Sequence, residues 1–195
     1  MTCIIGCIDK KDNSVWIGAD SLGSNGYIKS VESQPKVFRN DIFDNVIMGS
    51  TSTFRHIDLL KYSSTLFEEI DKYKEVDIDH KYMVTKFIPK VIELFRDGYI
   101  SDKTEEKNAN FIVGVEDKLF EIQEDYSVLE PLDNFCAVGC GEDVAIGSMY
   151  TTRNMDMSVP DRIIEALKAA ENRLCGVQRP FVLMNTKDII VKIIR

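Results

Sequence analysis

Apolar and β-branched residues come in short runs over the first part of the chain, and these runs predict β-strands. Thr2–Ile8 and Val15–Ala19 are separated by the polar stretch Asp9–Ser14, which has the length of a hairpin loop. Three more extended runs follow, at Tyr27–Val31, Pro35–Arg39 and Asn45–Met48. The chain is therefore expected to begin as a set of short strands.

The spacing of apolar residues then changes to three and four, which predicts two helices. Apolar residues between Phe54 and Ile70 fall near one face, and those between Val84 and Phe95 keep the spacing more strictly. Pro89 is expected to kink the second helix or to mark its first turn, and Gly98 is expected to end it. The charged residues 99–108 predict a loop.

The second half of the chain repeats this order of strands, helices and strands. Ser158 is a plausible N-cap for the last helix, with Pro160 in its first turn. The predicted strands are Phe111–Val115, Leu119–Gln123, Tyr126–Leu129, Phe135–Val138, Phe181–Met184 and Ile189–Ile194, and the helices are Asp143–Tyr150 and Asp161–Leu174. Because strands and helices come in blocks, the order favours antiparallel sheets covered by helices, in one domain over residues 1–195.

Composition and charge narrow the partners that the protein can have. The chain has 195 residues, 44% of them apolar, and 32 acidic against 24 basic residues give a net charge of −8. A field of this sign argues against binding to nucleic acid or to an anionic membrane surface. No apolar run approaches the roughly 18 residues of a membrane-spanning helix, and the first residues lack a signal-peptide pattern. We therefore expect a cytoplasmic protein.

The five cysteines are predicted to be free thiols in a reducing compartment, because their number is odd and no C-x-x-C pair occurs. We interpret them chiefly as small buried hydrophobic residues. No phosphate-binding glycine motif or zinc-ligand spacing is present, so no cofactor or metal is expected. The acidic residues across Glu116–Asp133 are interpreted as a solvated face.

Thr2 is the first residue with candidate chemistry, because it follows the initiator methionine. A small residue at this position permits removal of Met1, which leaves threonine with a free α-amine whose reference pKa is about 8. Such an amine can take the proton of the threonine hydroxyl and so activate a weak nucleophile. Position alone leaves a plainer interpretation open, in which Thr2 only begins a strand.

Asp20 and Lys36 are the second candidate pair. Asp20 ends the second predicted strand in the segment GADS, and Lys36 lies in a strand-like run where an unpaired ammonium is costly. The two could pair beside the start of the first strand, where the ammonium would disfavour protonation of a neighbouring amine. A purely structural ion pair is the alternative.

The sequence resembles the proteasome β-subunits and the related bacterial HslV peptidase, which are N-terminal-nucleophile hydrolases. The resemblance runs through most of the chain and is strongest to the proteasome-β-like proteins of bacteria and their phages. Besides Thr2, it rests on segments in the family's order and spacing: GADS (Gly18–Ser21), PKVF (Pro35–Phe38), MGST (Met48–Thr51), AVGCG (Ala137–Gly141) and LCG (Leu174–Gly176).

The resemblance implies a four-layer αββα sandwich of the α+β class and a role for each matched residue. Thr2 is expected to be the nucleophile and its α-amine the general base, with Lys36 tuning both and Asp20 holding Lys36. The turn at Gly49–Ser50 is expected to give a backbone N–H to the oxyanion hole, unless it is an ordinary strand-to-helix cap.

Two positions depart from the family pattern. Cys140 stands where the family usually has a serine within hydrogen-bond reach of the threonine amine, and a thiol is a weaker hydrogen-bonding group. Asn172, with Glu171 beside it, stands where the family often has an acid.

By resemblance, the function is that of a threonine-type peptidase that cleaves polypeptides within a closed homo-oligomer, with a possible ATP-dependent unfoldase as partner. Two alternatives stay open. One is a non-catalytic scaffold subunit that keeps only the fold. The other is an amidase that uses the same nucleophile on a small molecule.

Overall fold

The computed structural model describes residues 1–31, 33–67, 77–98, 110–188 and 191–195. The strands are β1 (Ile4–Asp9), β2 (Ser14–Ala19), β3 (Leu22–Ser24), β4 (Lys29–Val31), β5 (Val37–Arg39), β6 (Val46–Ser50), β7 (Phe111–Val115), β8 (Lys118–Ile122), β9 (Val128–Leu129), β10 (Phe135–Val138), β11 (Phe181–Asn185) and β12 (Lys192–Ile194). The helices are α1 (Phe54–Tyr62), α2 (His80–Tyr82), α3 (Ile88–Gly98), α4 (Glu142–Thr152) and α5 (Val159–Arg173), and a π-helical segment, Met83–Phe87, joins α2 to α3.

The strands form two five-stranded sheets and one hairpin. The first sheet has the order β10-β1-β2-β11-β12, the second has the order β5-β6-β7-β8-β9, and β3 pairs with β4. All the strand pairs in these sheets are antiparallel, as the block order of the sequence predicts.

Three clusters of buried side chains hold these elements together. One joins residues of the two sheets, including Ile4 and Ile17 of the first and Ile47 and Ile112 of the second. Another joins the first sheet to α4 and α5, and the third joins the second sheet to α1 and α3. Alternate residues of β1 therefore serve different clusters, with Ile4 between the sheets and Ile5 against the helices.

Most predicted elements are present with bounds within a few residues of those expected. Strands Phe111–Val115 and Phe135–Val138 are confirmed without change. Ser158 is confirmed as the N-cap of α5, where its hydroxyl accepts from the Asp161 N–H at 3.3 Å. Pro89 is the second residue of α3 and follows the π-helical segment, which fits a first-turn proline.

The first predicted helix is shorter than its apolar spacing indicates. The helix α1 ends at Tyr62, and Ser63 is in an extended conformation. Leu66 and Phe67 are nevertheless fully buried against the second sheet's cluster, so their apolar character serves packing rather than a helix face. The rest of this prediction, the predicted loop at 99–108, and positions 189 and 190 of the last predicted strand lie outside the described residues.

The sequence prediction missed β3, which has only three residues in a Gly/Ser-rich segment.

Within the described ranges, no helix has both the length and the apolar composition to cross a membrane.

The packing between the sheets generates a first prediction. Ile17 is fully buried there, and Ile17→Ala should lower the free energy of unfolding by roughly 2–5 kcal/mol through lost burial and a residual cavity. Urea unfolding at 25 °C measures this. Ile28→Ala is the matched control, because Ile28 is 68% exposed and its truncation should cost no more than about 0.5 kcal/mol. Equal losses in the two variants would contradict the assigned core.

Candidate functional site

The register of the first sheet brings the start of β1 to the ends of two other strands. Ile4 pairs with Ala19 at the end of β2 and with Val138 at the end of β10. Backbone bonds extend both pairings beyond the strands, because the Asp20 N–H donates to the Cys3 carbonyl and the Gly141 N–H to the Thr2 carbonyl, each at 3.2 Å. Thr2 is thus fixed between the segments that follow β2 and β10.

Asp20 and Lys36 form a buried ion pair beside Thr2. Lys36 Nζ lies 2.9 Å from Asp20 Oδ1, and the two residues are only 4% and 0% exposed. Asp20 also accepts from the Cys3 N–H at 2.9 Å and from the Leu22 N–H at 3.0 Å. These donors offset the cost of burying the carboxylate, and the carboxylate holds the lysine in one place.

Thr2 is buried, and its backbone and side chain meet the candidate residues directly. Its N–H donates to Cys140 Sγ at 3.3 Å, and its hydroxyl donates to the Met1 carbonyl oxygen. Lys36 Nζ donates to that same carbonyl at 3.3 Å. The threonine hydroxyl and the lysine ammonium therefore converge on one oxygen, which belongs to the peptide bond before Thr2.

The turn after β10 has its shape because of Gly139. This glycine has φ +97°, and a Cβ atom there would lie 2.4 Å from the Thr2 carbonyl oxygen. The close approach lets the turn run alongside Thr2 and sets Cys140 against its nitrogen. The Cys140 thiol also lies near the Gly176 carbonyl, at 3.9 Å.

Gly49 and Ser50, the predicted oxyanion donors, are the last two residues of β6. The Ser50 N–H donates to the Lys36 carbonyl at 3.2 Å, so it is already used in joining β6 to the segment before β5. Gly49 lies inside the second sheet, in register with Val37 on one side and Ile112 on the other. The packing between the sheets leaves no room for a side chain at this position, because a Cβ atom there would lie 2.6 Å from Ile4 Cγ2.

Ser52, which the sequence interpretation missed, is an exposed residue near Thr2. Within the described part of the chain its N–H donates no hydrogen bond. It has φ +71°, an unusual value for a residue with a side chain, and strain of this kind is common at functional sites. The position precedes Thr53, the N-cap of α1, so its N–H lies near the positive end of a helix.

Two open cavities meet at Thr2. The first, here called the β3-side cavity, has a volume of about 410 Å³ and is lined by Thr2 and Lys36 together with β3, Ser52 and Ile57. The second, the α4-side cavity, has a volume of about 800 Å³ and is lined by Thr2, Ser52, Cys140 and residues at the start of α4. A bound molecule could therefore contact the threonine from either side.

The other cysteines differ from Cys140 in their surroundings. Burial raises the pKa of the Cys3 thiol to about 12 and that of the Cys7 thiol to about 11, and burial also raises the pKa of the Cys136 thiol. These three are protonated hydrophobic residues of the core, as predicted. Cys140 and Cys175 are exposed, so the prediction of burial is wrong for them.

The structure brings together Thr2, Lys36, Asp20 and Cys140. Ser50, the last residue of β6, also lines the β3-side cavity, and Gly49 lies within the second sheet. Asn172 is exposed and lies outside both cavities at Thr2. Its neighbour Glu171 instead binds the Arg179 guanidinium, with Nη2 to Oε2 at 2.6 Å. Among the described residues, no group of three or more His, Cys, Asp or Glu side chains could hold a metal ion.

Comparison with known proteins identifies solved structures that share this fold. HslV from Trypanosoma brucei matches with a TM-score of 0.68 and 20% identity over 94% of this chain and 98% of that one. BPH from Thiobacillus denitrificans matches with a TM-score of 0.72 and 17% identity over 95% and 97% of the two chains. Its complex with epoxomicin matches with a TM-score of 0.73 and 15% identity, over 94% and 97%.

These matches confirm at the level of the fold the resemblance to HslV and proteasome-β-like proteins. No protein-family profile matches the sequence, and no curated protein sequence matches it.

The buried ion pair generates a second prediction. Asp20→Ala leaves the Lys36 ammonium buried without its carboxylate, and we expect a loss of about 3–5 kcal/mol in the free energy of unfolding. Chemical denaturation with an unchanged m-value measures it. Asp117→Ala, at an exposed position, is the control and should change stability by no more than about 0.5 kcal/mol. A loss below about 1 kcal/mol for Asp20→Ala would contradict the pairing.

The third prediction is that replacing Gly139 or Gly147 by alanine changes the stability of the fold in opposite directions. Gly139→Ala meets the Thr2 carbonyl and a left-handed φ, so it should lower stability by more than about 1 kcal/mol. Gly147 lies within α4 with nothing within 4 Å of an added Cβ, so Gly147→Ala should raise stability by roughly 0.5–1 kcal/mol. Thermal unfolding distinguishes the two, and a stabilising Gly139→Ala would contradict the turn geometry.

Proposed function

We propose that the protein is a threonine-type N-terminal-nucleophile hydrolase of the proteasome β and HslV type, which cleaves peptide bonds once Met1 has been removed. The observation that carries this proposal is the convergence of the Thr2 hydroxyl and the Lys36 ammonium on the Met1 carbonyl, with Lys36 held by buried Asp20. A buried lysine fixed next to a threonine hydroxyl is an arrangement suited to nucleophilic catalysis.

Removal of Met1 converts the Thr2 nitrogen from an amide into a primary amine. In that form the amine takes the hydroxyl proton of Thr2 while Oγ1 attacks the substrate carbonyl carbon. The positive charge of Lys36 favours the unprotonated amine and the developing alkoxide. Cys140 Sγ lies 3.3 Å from this nitrogen while Met1 is attached, and we propose that it keeps the free amine oriented towards the hydroxyl.

Attack turns the substrate carbonyl oxygen into an oxyanion, which needs a donor. Ser52 lines both cavities with Thr2, and we propose its N–H for this role in place of Gly49 and Ser50. One such donor is worth roughly 2.7–4 kcal/mol in the transition state. The proposed oxyanion role of Ser52 depends on its backbone conformation and not on its hydroxyl. A glycine at position 52 would adopt the same φ without strain.

The tetrahedral intermediate collapses with cleavage of its C–N bond. The leaving amine takes the proton from the Thr2 ammonium, and the acyl group stays on Oγ1 as an ester. Water then attacks the ester with the free amine as base. This step releases the carboxylic acid and restores the hydroxyl, so the cycle needs no metal or organic cofactor.

A polypeptide substrate is favoured by the position of β3. This strand pairs with β4 on one edge only, within the described sheets, and its residues line the β3-side cavity with Thr2. An extended peptide can add to a free strand edge through backbone hydrogen bonds, which fixes its scissile bond relative to a nucleophile. A small amide would leave that edge unused.

The proposal extends to the architecture and assembly. We propose that the three clusters of buried residues define the four-layer αββα sandwich of this hydrolase class, as one domain. By analogy with HslV, we propose a cytoplasmic homo-oligomer that encloses its active sites, served by an ATP-dependent unfoldase.

One observation favours a second candidate, a non-catalytic scaffold subunit. The partner of the Thr2 nitrogen is the Cys140 thiol, a weaker hydrogen-bonding group than the serine usual in the family. A chain that keeps Met1 in its native host would have the fold without the activity.

Hydrolysis of fluorogenic peptides by protein with a confirmed free Thr2 amine tests the proposal and generates the fourth prediction. Thr2→Ala should abolish turnover, and Lys36→Met should lower kcat by at least about 100-fold, the usual size of a proton-transfer contribution. Thr151→Ala, at an exposed position of α4, is the matched control and should keep full activity.

Two outcomes would contradict the proposal. One is turnover that survives Thr2→Ala. The other is no hydrolysis of any peptide by the free-Thr2 protein, and in that case cleavage of small amides would favour the amidase.

A further inference from the structure

The segment between α5 and β11 contacts Asp20, although the proposed chemistry gives this segment no role. The Gln178 N–H donates to Asp20 Oδ2 at 3.4 Å, whereas Lys36 Nζ donates to the other carboxylate oxygen, Oδ1, at 2.9 Å. The two oxygens of one buried carboxylate are therefore held by different parts of the chain. Residue 178 contributes to holding the group that places the lysine.

Two further hydrogen bonds join the same segment to Ser21, the residue after Asp20. The Ser21 N–H donates to the Gln178 carbonyl at 3.0 Å, and the Ser21 hydroxyl donates to the Pro180 carbonyl at 2.7 Å. Asp20 and Ser21 are both buried, so water does not replace these bonds readily. A shift of the backbone at 178–180 would therefore also displace Asp20.

Glu171, near the C-terminal end of α5, holds this segment through Arg179. Its carboxylate accepts from the Arg179 backbone N–H at 2.8 Å. It also accepts from the Arg179 guanidinium, through Nε at 2.9 Å and Nη2 at 2.6 Å. Charge-assisted bonds of this kind are strong and directional, so one carboxylate fixes both the backbone and the side chain of Arg179.

One peptide group connects Glu171 to the segment that contains Asp20. Gln178 and Arg179 share this planar unit, here called the 178–179 peptide group, whose N–H and C=O point in opposite directions. Its N–H donates to Glu171, and its C=O accepts from the Ser21 N–H. Because α5 packs on the first sheet, the 178–179 peptide group is held between a packed helix and the residue after Asp20.

The surroundings of Glu171 differ from those of a glutamate in an ordinary surface ion pair. Its side chain is 22% exposed. Burial raises the pKa of the Glu171 carboxyl, but the hydrogen bonds and charge of Arg179 outweigh burial and lower that pKa overall. Glu165, on the same helix, is 48% exposed and binds Lys168 of α5 at 2.8 Å. The Glu165 pair stays within one helix, so it connects nothing to the site.

We propose that Glu171 is a positioning residue, which holds the 178–179 peptide group and so fixes Asp20 and the Lys36 ammonium. Without Glu171, the carboxylate and the lysine would adopt more than one arrangement. The lysine would then spend less time in the position that assists the nucleophile, and reaction rates depend steeply on such placement. This inference rests on the proposed function, and it adds a residue that acts on the site from outside it.

The rate of acylation by a β-lactone, on protein with a confirmed free Thr2 amine, tests the inference. Glu171→Ala should lower the maximal acylation rate constant by about tenfold or more, the scale of one lost hydrogen bond to a charged group. The half-saturating β-lactone concentration and the final number of adducts per chain should stay unchanged. A merely structural role would instead reduce the number of adducts and leave the rate constant of the folded chains as it was.

Two further variants identify the cause of the loss. Glu165→Ala removes a glutamate and its ion pair from the same helix, and it should keep the wild-type rate constant. Glu171→Gln keeps an oxygen that can accept the Arg179 N–H, so its rate constant should stay within about threefold of wild type. Equal losses in Glu171→Ala and Glu165→Ala, or a Glu171→Gln rate as low as that of Glu171→Ala, overturn the inference.

Amide hydrogen exchange separates failure of this inference from failure of the proposed function, because it needs no acylation. The N–H groups of Leu22 and Gln178 both donate to Asp20. In Glu171→Ala, amides at 20–22 and 177–179 should exchange at least about tenfold faster than in wild type, as expected for a local loss of stability, and Glu165→Ala should change neither.

Faster exchange at both places supports the inference even if no chain is acylated. Unchanged exchange at 20–22 in Glu171→Ala overturns it, while acylation of the wild-type protein leaves the proposed function intact.

Discussion

The buried carboxylate of Asp20 is the constraint on which the site depends. Removing a carboxylate from water is unfavourable unless it has several donors, and Asp20 has donors from four parts of the chain, one of them the Gln178 N–H at 3.4 Å. Cys3 belongs to the start of β1, Leu22 to β3, and Lys36 to the approach to β5. Satisfying one charge therefore fixes the start of the first sheet, the strand beside the cavity and the lysine relative to one another.

Strand pairing sets much of the remaining geometry of the site. The starting point of β1 is determined by its pairing with β2 and β10, and Gly139 lets the chain turn tightly against Thr2. On the other side, the Ser50 N–H binds the Lys36 carbonyl, so the second sheet holds the lysine backbone while Asp20 holds its side chain. A lysine fixed at both ends loses little entropy when it stabilises a transition state.

The candidate residues of this site are predictable from sequence only through the order and spacing of the segments that resemble the family. A threonine after methionine, an acid closing an apolar strand and a lysine within a strand-like run each keep a plainer interpretation in their own segment. The oxyanion donor is different. Whether an N–H at Gly49, Ser50 or Ser52 is free depends on which strand pairs with it, and that register is a property of the folded sheets. The predicted solvated face needs no such register, and its acids Glu124 and Asp125 are exposed.

The central claim is that Thr2, freed of Met1, is a working nucleophile. The most direct measurement is the intact mass of protein from its native host, with N-terminal peptide mapping, after incubation with a β-lactone that acylates threonine hydroxyls. The account predicts a chain that lacks Met1 and carries a single adduct on Thr2. A chain that retains Met1 and carries no adduct would contradict it and would favour the scaffold subunit.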